Sequence, residues 1–159
     1  MARYIVDSQI DNHEKYYFIR EQESQDIVLL PSKYLMHKKR SKLSPNTIRR
    51  SAGAISYYLN YIDETGIQLD DVWEMPYDKQ QEHFTDYLIW LQAGFHSGDS
   101  YKKKPYNETC NAYLKEVFRF YRFSGQQDES IKQLKVLSDM RIIVHNSVGV
   151  KRTLYRNTF

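Results

Sequence analysis

One short stretch near residue 45 combines the residue types that hold phosphate groups at the start of a helix. In order, the stretch consists of Leu43, Ser44, Pro45, Asn46, Thr47, Ile48, Arg49 and Arg50. Ser44 can cap the helix, and Pro45 suits its first position. Backbone N–H groups that are left free at a helix N-terminus attract anions, and nearby arginines add to that attraction. We therefore expect this segment to contact phosphate.

A second predicted helix start, with Asn107 as its candidate N-cap, has the same polar and basic character. If both starts share one face, their small polar groups would contact the phosphates of a duplex, and their cations would add charge and reach base edges. The candidate DNA-binding residues are Ser44, Asn46, Thr47, Arg49, Arg50, Lys102, Lys103, Lys104, Asn107, Thr109, Asn111, Lys115 and Arg119.

The charge distribution supports this interpretation better than the net charge of +3 does. From Ile27 to Ile62 the chain has no Asp or Glu, yet it carries several Lys and Arg residues. The segment from Asp63 to Asp86 is strongly acidic, and the stretch from Tyr101 to Phe123 is basic again. This alternation indicates a molecule with one positive and one negative face.

Each of these features also has a purely structural explanation. Ser44 and Asn107 can serve as caps alone, and Arg49 and Arg50 can be exposed helix charges. Exposed lysine runs are common, so the three lysines from 102 to 104 can simply be solvated. The helical tyrosines are expected to be packing residues, because no activating cluster of His, Lys and Arg surrounds any of them; they are Tyr57, Tyr58, Tyr61, Tyr113 and Tyr121.

Composition favours an ordinary soluble domain, with 159 residues, 41% apolar and 27% charged. Cys110 is the only cysteine, so neither a disulfide framework nor a Cys-based zinc site is expected. The five histidines lack the spacing of metal ligands, and we expect no cofactor. No apolar run approaches membrane-spanning length, and no signal peptide is evident, so the expected setting is cytoplasmic and away from the membrane.

The first thirty residues are predicted to form strands. The candidates are Arg3–Val6 and Lys15–Arg20. The second is the stronger candidate, because it is rich in aromatic and β-branched residues. Asp11-Asn12 is the expected turn between them. The segment Ile27–Leu30 is either a third strand or the approach to a helix from Pro31 to about Arg40.

From Ser44 onward the sequence predicts helices. The first long helix should end at Gly66, the second should run from a capping Asp78 to Ala93, and the third should follow Asn107. Four further elements are predicted. They are a connector with Val72, Trp73 and Met75 packed inward, a loop from Gly94 to Pro105, a short helix over Glu129–Leu137 and an extended segment over Arg141–His145. The expected core residues of the three long helices are Ile48, Ala52, Ile55, Leu59, Ile62, Phe84, Tyr87, Leu88, Leu91, Cys110, Tyr113, Leu114, Val117, Phe118 and Tyr121.

Three segments resemble parts of the tyrosine recombinases, or phage-type integrases. The stretch from Leu43 to Ile62 is similar to the opening helix of their core-binding domain. Asn107–Tyr121 resembles a later helix of that domain, and Ser147–Arg152 resembles the segment leading to the catalytic domain. The resemblance covers roughly Pro31 to Phe159 and implies a mainly α fold, a SAM-like four-helix core-binding bundle, here with a short β-rich N-terminal extension.

The resemblance also implies a domain organisation and a function. Residues 1–30 would be the β-rich extension, 31–138 the DNA-binding domain and 139–159 a linker toward a catalytic domain. We find no Arg, Lys, His-x-x-Arg and nucleophilic Tyr set, so we expect binding without catalysis. The implied partners are double-stranded DNA, the catalytic domain of the same parent chain and other recombinase protomers, with no cofactor.

Two other classes of protein remain open. The first is a helical protein–protein interaction module whose basic patch is incidental. The second is a helix-turn-helix regulator, although no short Gly-centred turn joins two closely spaced helices. The stretch from Met1 to Leu30 is short and acidic, so we expect it to pack on the bundle or on a neighbouring protomer rather than on DNA.

Overall fold

The computed structural model describes residues 2–97, 105–127 and 132–136. It is mainly helical with one antiparallel two-stranded sheet at the N-terminus, as the sequence predicts. The elements are β1 (Tyr4–Asp11), β2 (Glu14–Glu21), α1 (Leu29–Arg40), α2 (Pro45–Thr65), α3 (Asp71–Glu74), α4 (Tyr77–Gln92), a 3-10 turn (Phe95–Ser97) and α5 (Asn107–Gly125).

Helix α2 begins and ends where the sequence predicts. Ser44 caps it, because its Oγ accepts a hydrogen bond of 3.2 Å from the N–H of Thr47, and Pro45 occupies the first position. Gly66 ends the helix in the left-handed region with a φ of 74°, where a side chain would be strained. The predicted stripe from Ile48 to Ile62 is buried, so α2 lies at the centre of the fold.

The N-terminal hairpin packs on the helices. The side chain of Asn60 in α2 accepts hydrogen bonds from the N–H groups of Arg3 and Tyr4, and Ile19 is part of the core. The predicted turn at Asp11-Asn12 is wrong by one residue, since Asn12 and His13 both adopt a positive φ. A positive φ at both residues of a two-residue loop is the type I′ geometry, which matches the twist of the flanking strands.

Helix α1 begins at Leu29 and not at Pro31, so the predicted start is two residues late. The structure does not contain the alternative third strand over Ile27–Leu30. In its place, Ile27 pairs with Arg20 in an isolated bridge. The N–H of Val28 then donates to the carbonyl of Ile19, which joins the end of the hairpin to the start of α1.

The region between α2 and α4 contains one short helix, α3, where the sequence predicts a plain connector. Val72 and Trp73 are buried in it, as expected. Helix α4 has Pro76 at its N-cap position and no side-chain cap, so the prediction of Asp78 as the cap is wrong. The buried side-chain amide of Gln80 donates a hydrogen bond to the carbonyl of Val72 and so connects the first turn of α4 to α3.

Helix α5 buries the predicted apolar residues against α2 and α4, except Tyr113, which is only half-buried. Its N-cap position is occupied by Tyr106, with no side-chain cap, and Asn107 is the first helical residue. The prediction of Asn107 as the N-cap is therefore wrong by one position. Tyr58 of α2 contacts Phe84, Tyr87 and Tyr121, so aromatic rings from α2, α4 and α5 form the centre of the core.

The predicted helix over Glu129–Leu137 lies partly outside the described residues. Residues 132–134 are not helical, and 135–136 belong to a 3-10 turn rather than an α-helix. The N–H of Lys132 donates to the carbonyl of Gly125, and the N–H of Lys135 donates to the side chain of Gln80. Leu134 is buried. The predicted extended segment Arg141–His145 and the tail from Val150 lie outside the described residues. Among the described helices, none has both the length and the apolarity required to cross a bilayer.

Candidate nucleic-acid interface

Helices α2 and α5 together form an open groove of about 640 Å³, which we call the α2–α5 groove. Early turns of α2 contribute Thr47 and Arg50 to its wall, and the first turn of α5 contributes Thr109. Two predicted sites that are distant in sequence therefore meet on one surface. The lining residues are Lys38, Thr47, Arg50, Ser51, Ala54, Glu108, Thr109, Ala112, Tyr113, Glu116 and Arg119.

The start of α2 is internally hydrogen bonded. Ser44 Oγ lies 2.8 Å from the hydroxyl of Thr47 in addition to capping the helix. Asn46 Oδ1 accepts a hydrogen bond of 2.8 Å from Arg49. All of these residues are exposed, so the tip of α2 presents ordered polar groups to solvent.

A second concavity, of about 530 Å³, lies between β1, α2 and the 3-10 turn. Arg49 and Arg50 line it together with the aromatic side chains of Tyr57 and Tyr113. Arg50 and Tyr113 also line the α2–α5 groove, so the two concavities adjoin each other. Arg49 and Arg50, the two predicted arginines of α2, therefore both line the second concavity.

A third concavity, of about 360 Å³, lies between α1 and α5. It shares Lys38 and Arg119 with the α2–α5 groove, and it adds His37 and Arg122. None of its lining residues is acidic. His37, Lys38 and Arg122 are not among the residues predicted for the site, although the first two belong to the acid-free stretch from Ile27 to Ile62.

A buried carboxylate, Glu116 of α5, lies where these two concavities meet. Its Oε2 accepts a hydrogen bond of 2.6 Å from Tyr34 and lies 2.8 Å from Nζ of Lys38, and its Oε1 lies 3.2 Å from Arg119. Burial by itself raises the pKa of Glu116. The hydrogen bonds from Lys38 and Tyr34 and the charge of Lys38 outweigh burial, so the pKa lies below its usual value and the group stays ionised.

Other predicted residues lie away from the groove wall. Asn107 is exposed at the first position of α5. Asn111 and Lys115 are half-buried and do not line the α2–α5 groove, and Asn111 Oδ1 is buried without a hydrogen-bond partner in the described part of the chain. Lys102, Lys103 and Lys104 lie outside the described residues.

Among the five tyrosines that the sequence assigns to packing, Tyr58, Tyr61 and Tyr121 are buried, whereas Tyr57 and Tyr113 are half-buried and line the second concavity. Tyr58 OH lies 2.8 Å from His83 Nε2 and 2.7 Å from the hydroxyl of Tyr121, which also donates to the carbonyl of Leu69. Burial raises the pKa of Tyr58 and of Tyr121, so both phenols stay protonated. Protonated phenols with no approach from solvent fit a structural role.

The described residues bring cationic side chains together around three concavities. Among the described residues, no group of three or more His, Cys, Asp and Glu side chains is placed to ligate a metal. The three concavities adjoin through shared lining residues, and their walls carry cations, small hydroxyl groups and two carboxylates, those of Glu108 and Glu116. No protein-family model, curated protein or solved structure matches this chain.

Proposed function

We propose that this chain binds duplex DNA as the non-catalytic, core-binding part of a site-specific recombinase of the tyrosine type, which takes part in DNA integration. The observation that best supports DNA binding is the convergence of α2 and α5. Thr47 and Arg50 line the same groove as Thr109, although each helix start was identified separately in the sequence.

The chemistry of the groove suits the backbone of a duplex. The hydroxyl of Thr47 and the N–H of Asn46 at the start of α2 can donate hydrogen bonds to phosphate oxygens, and Arg50 and Arg119 supply positive charge. The shape is open, as a rod-like ligand requires, and its cations continue into the neighbouring concavities. Arg side chains on this face can also read guanine edges in the major groove.

The recombinase part of the proposal is supported by the sequence resemblance from Pro31 onward. A separate observation tests it, namely the reading frame of the gene downstream of the codon for Phe159. We expect that frame to encode an Arg, a Lys, a His-x-x-Arg motif and a nucleophilic Tyr in that order. A frame that encodes an unrelated domain would contradict the recombinase assignment and leave DNA binding to be tested directly.

DNA binding is tested by fluorescence anisotropy with a labelled duplex at several salt concentrations. We expect the double variant Arg50→Ala/Arg119→Ala to bind more weakly and to reduce the salt slope by about 2, because each lost phosphate contact removes about 0.9. The matched control is Lys15→Ala/Lys79→Ala, which removes the same charge from residues outside the three concavities.

The control variant should keep nearly the affinity and the slope of the unmodified chain. Equal losses in both variants would mean that only net charge matters, and the groove would not be the binding surface. Binding that does not respond to salt, or that survives the Arg50→Ala/Arg119→Ala change, would favour a protein–protein interaction module instead.

A further inference from the structure

Glu116 is an unusual residue to find in the wall of a groove that meets phosphates. Its residue exposure is only 6%, and it lies between the α2–α5 groove and the α1–α5 concavity. On charge alone, a carboxylate at this position repels a polyanion. An explanation for its presence has to come from what the carboxylate contacts.

Both carboxylate oxygens of Glu116 engage cations that line the groove. Oε2 lies 2.8 Å from Lys38 of α1, and Oε1 lies 3.2 Å from Arg119 of α5. The Lys38 side chain is 13% exposed and the Arg119 side chain is 50% exposed, so one cation is held at depth and the other reaches the surface. The carboxylate therefore restrains two long side chains that would otherwise sample many rotamers.

We propose that Glu116 is a positioning residue of the α2–α5 groove, which holds Lys38 and Arg119 against the groove wall so that their charges face an incoming phosphate backbone. The inference rests on the proposed DNA-binding function. Restraining the two cations before binding reduces the ordering that binding itself requires. The gain in pre-organisation exceeds the repulsion from one buried and compensated negative charge.

The variant Glu116→Gln distinguishes positioning from simple charge by the sign of its effect. It removes one negative charge, so an effect of charge alone makes DNA binding tighter and the salt slope steeper. The positioning role predicts the opposite, with binding weaker by about 3- to 10-fold, which corresponds to losing the restraint on one or two side chains. Affinity is measured by anisotropy, and folding is checked by thermal denaturation of each variant.

Two further variants separate positioning from a loss of structure. Glu116→Asp keeps the charge but shortens the side chain, so it should also weaken DNA binding, and it remains informative if the Gln variant does not fold. Tyr34→Phe removes the third hydrogen bond to the carboxylate but leaves both cation contacts. It should lower the stability of the fold while changing DNA affinity by less than about 2-fold.

A readout that needs no DNA keeps the two proposals apart. Relaxation of the Arg119 side-chain N–H signals by NMR should report a restrained guanidinium in the unmodified chain and a mobile one in Glu116→Gln. Equal mobility in both chains, or DNA binding that is as tight or tighter in the folded Glu116→Gln variant, would overturn the positioning role. If the unmodified chain binds no DNA, the proposed function fails and the positioning role fails with it, while the relaxation data still report whether Glu116 restrains Arg119.

Discussion

Tyr34 of α1 donates a hydrogen bond of 2.6 Å to Glu116 of α5, a residue 82 positions later in the chain. The bond is buried, and it joins α1 to α5. Burial and the charge of Glu116 both raise the pKa of Tyr34, so its hydroxyl remains a donor throughout the physiological range. One wall of the candidate DNA surface therefore depends on contacts that only the packed fold creates.

Replacing Tyr34 with Phe should destabilise the fold by about 1–2 kcal/mol, since it leaves a buried carboxylate with one donor fewer. Chemical denaturation followed by circular dichroism measures the loss. The matched control is Tyr16→Phe, because Tyr16 also donates to a carboxylate, that of Glu14, but at an exposed position. The control should change stability by less than about 0.5 kcal/mol, and equal losses in both variants would contradict the importance of the buried bond.

The stability of the fold should decrease as pH falls from about 6.5 to about 4. His83 is buried against Tyr58 and Phe84, and burial lowers its pKa from 6.5 to about 4. In that interval the unfolded chain binds a proton that the folded chain does not, so acid favours unfolding. The full effect is roughly 3 kcal/mol, and it levels off once the folded chain also takes up the proton below about pH 4.

The variant His83→Gln isolates this contribution from the carboxylates that titrate in the same range. Gln keeps a polar group near the hydroxyl of Tyr58 but does not titrate. The difference in unfolding free energy between the two chains should narrow as pH falls from about 6.5 to about 4. A difference that is constant across that range would show that His83 is not held neutral by the fold.

Substitutions at Ser44 should separate capping from DNA binding. Ser44→Ala removes the acceptor for the N–H of Thr47 and should cost about 1 kcal/mol of stability. Ser44→Asp keeps an acceptor and caps equally well, yet it places a negative charge at the tip of α2. We expect the Asp variant to be as stable as the unmodified chain in thermal denaturation and to bind duplex DNA more weakly. Unchanged DNA binding in that variant would indicate that the tip of α2 is only a cap.

The parts of the fold that the sequence predicted well are specified by local signals. In α2, the cap at Ser44, Pro45 at the first position, the apolar stripe and the stop at Gly66 all lie within one helix. Their prediction requires no knowledge of the neighbouring elements. The errors at Asp78 and Asn107 are also local, because a polar residue near a helix start is often a cap, and here each residue lies inside the helix.

The candidate site was predicted less completely, because its walls come from three helices. The sequence identified Thr47, Arg50 and Thr109, but it gave no reason to bring Lys38 to the same surface. That placement depends on the packing of α1 against α5 through Glu116, one of the two acids of α5, which the sequence did not single out. Asn111 and Lys115 do not line the groove. The packing of α5 against the other helices fixes its rotation about its own axis, and that rotation decides which of its residues face the groove.

The central claim, that the starts of α2 and α5 form one DNA-binding surface, is tested most directly by NMR titration with a short duplex. We expect the backbone amide signals of Thr47 and Arg50 and that of Thr109 to shift together along one binding curve, and added salt to reverse the shifts. The backbone amide signal of Lys79 on α4 should not shift. Shifts confined to one helix start, or spread equally over the chain, would contradict the account.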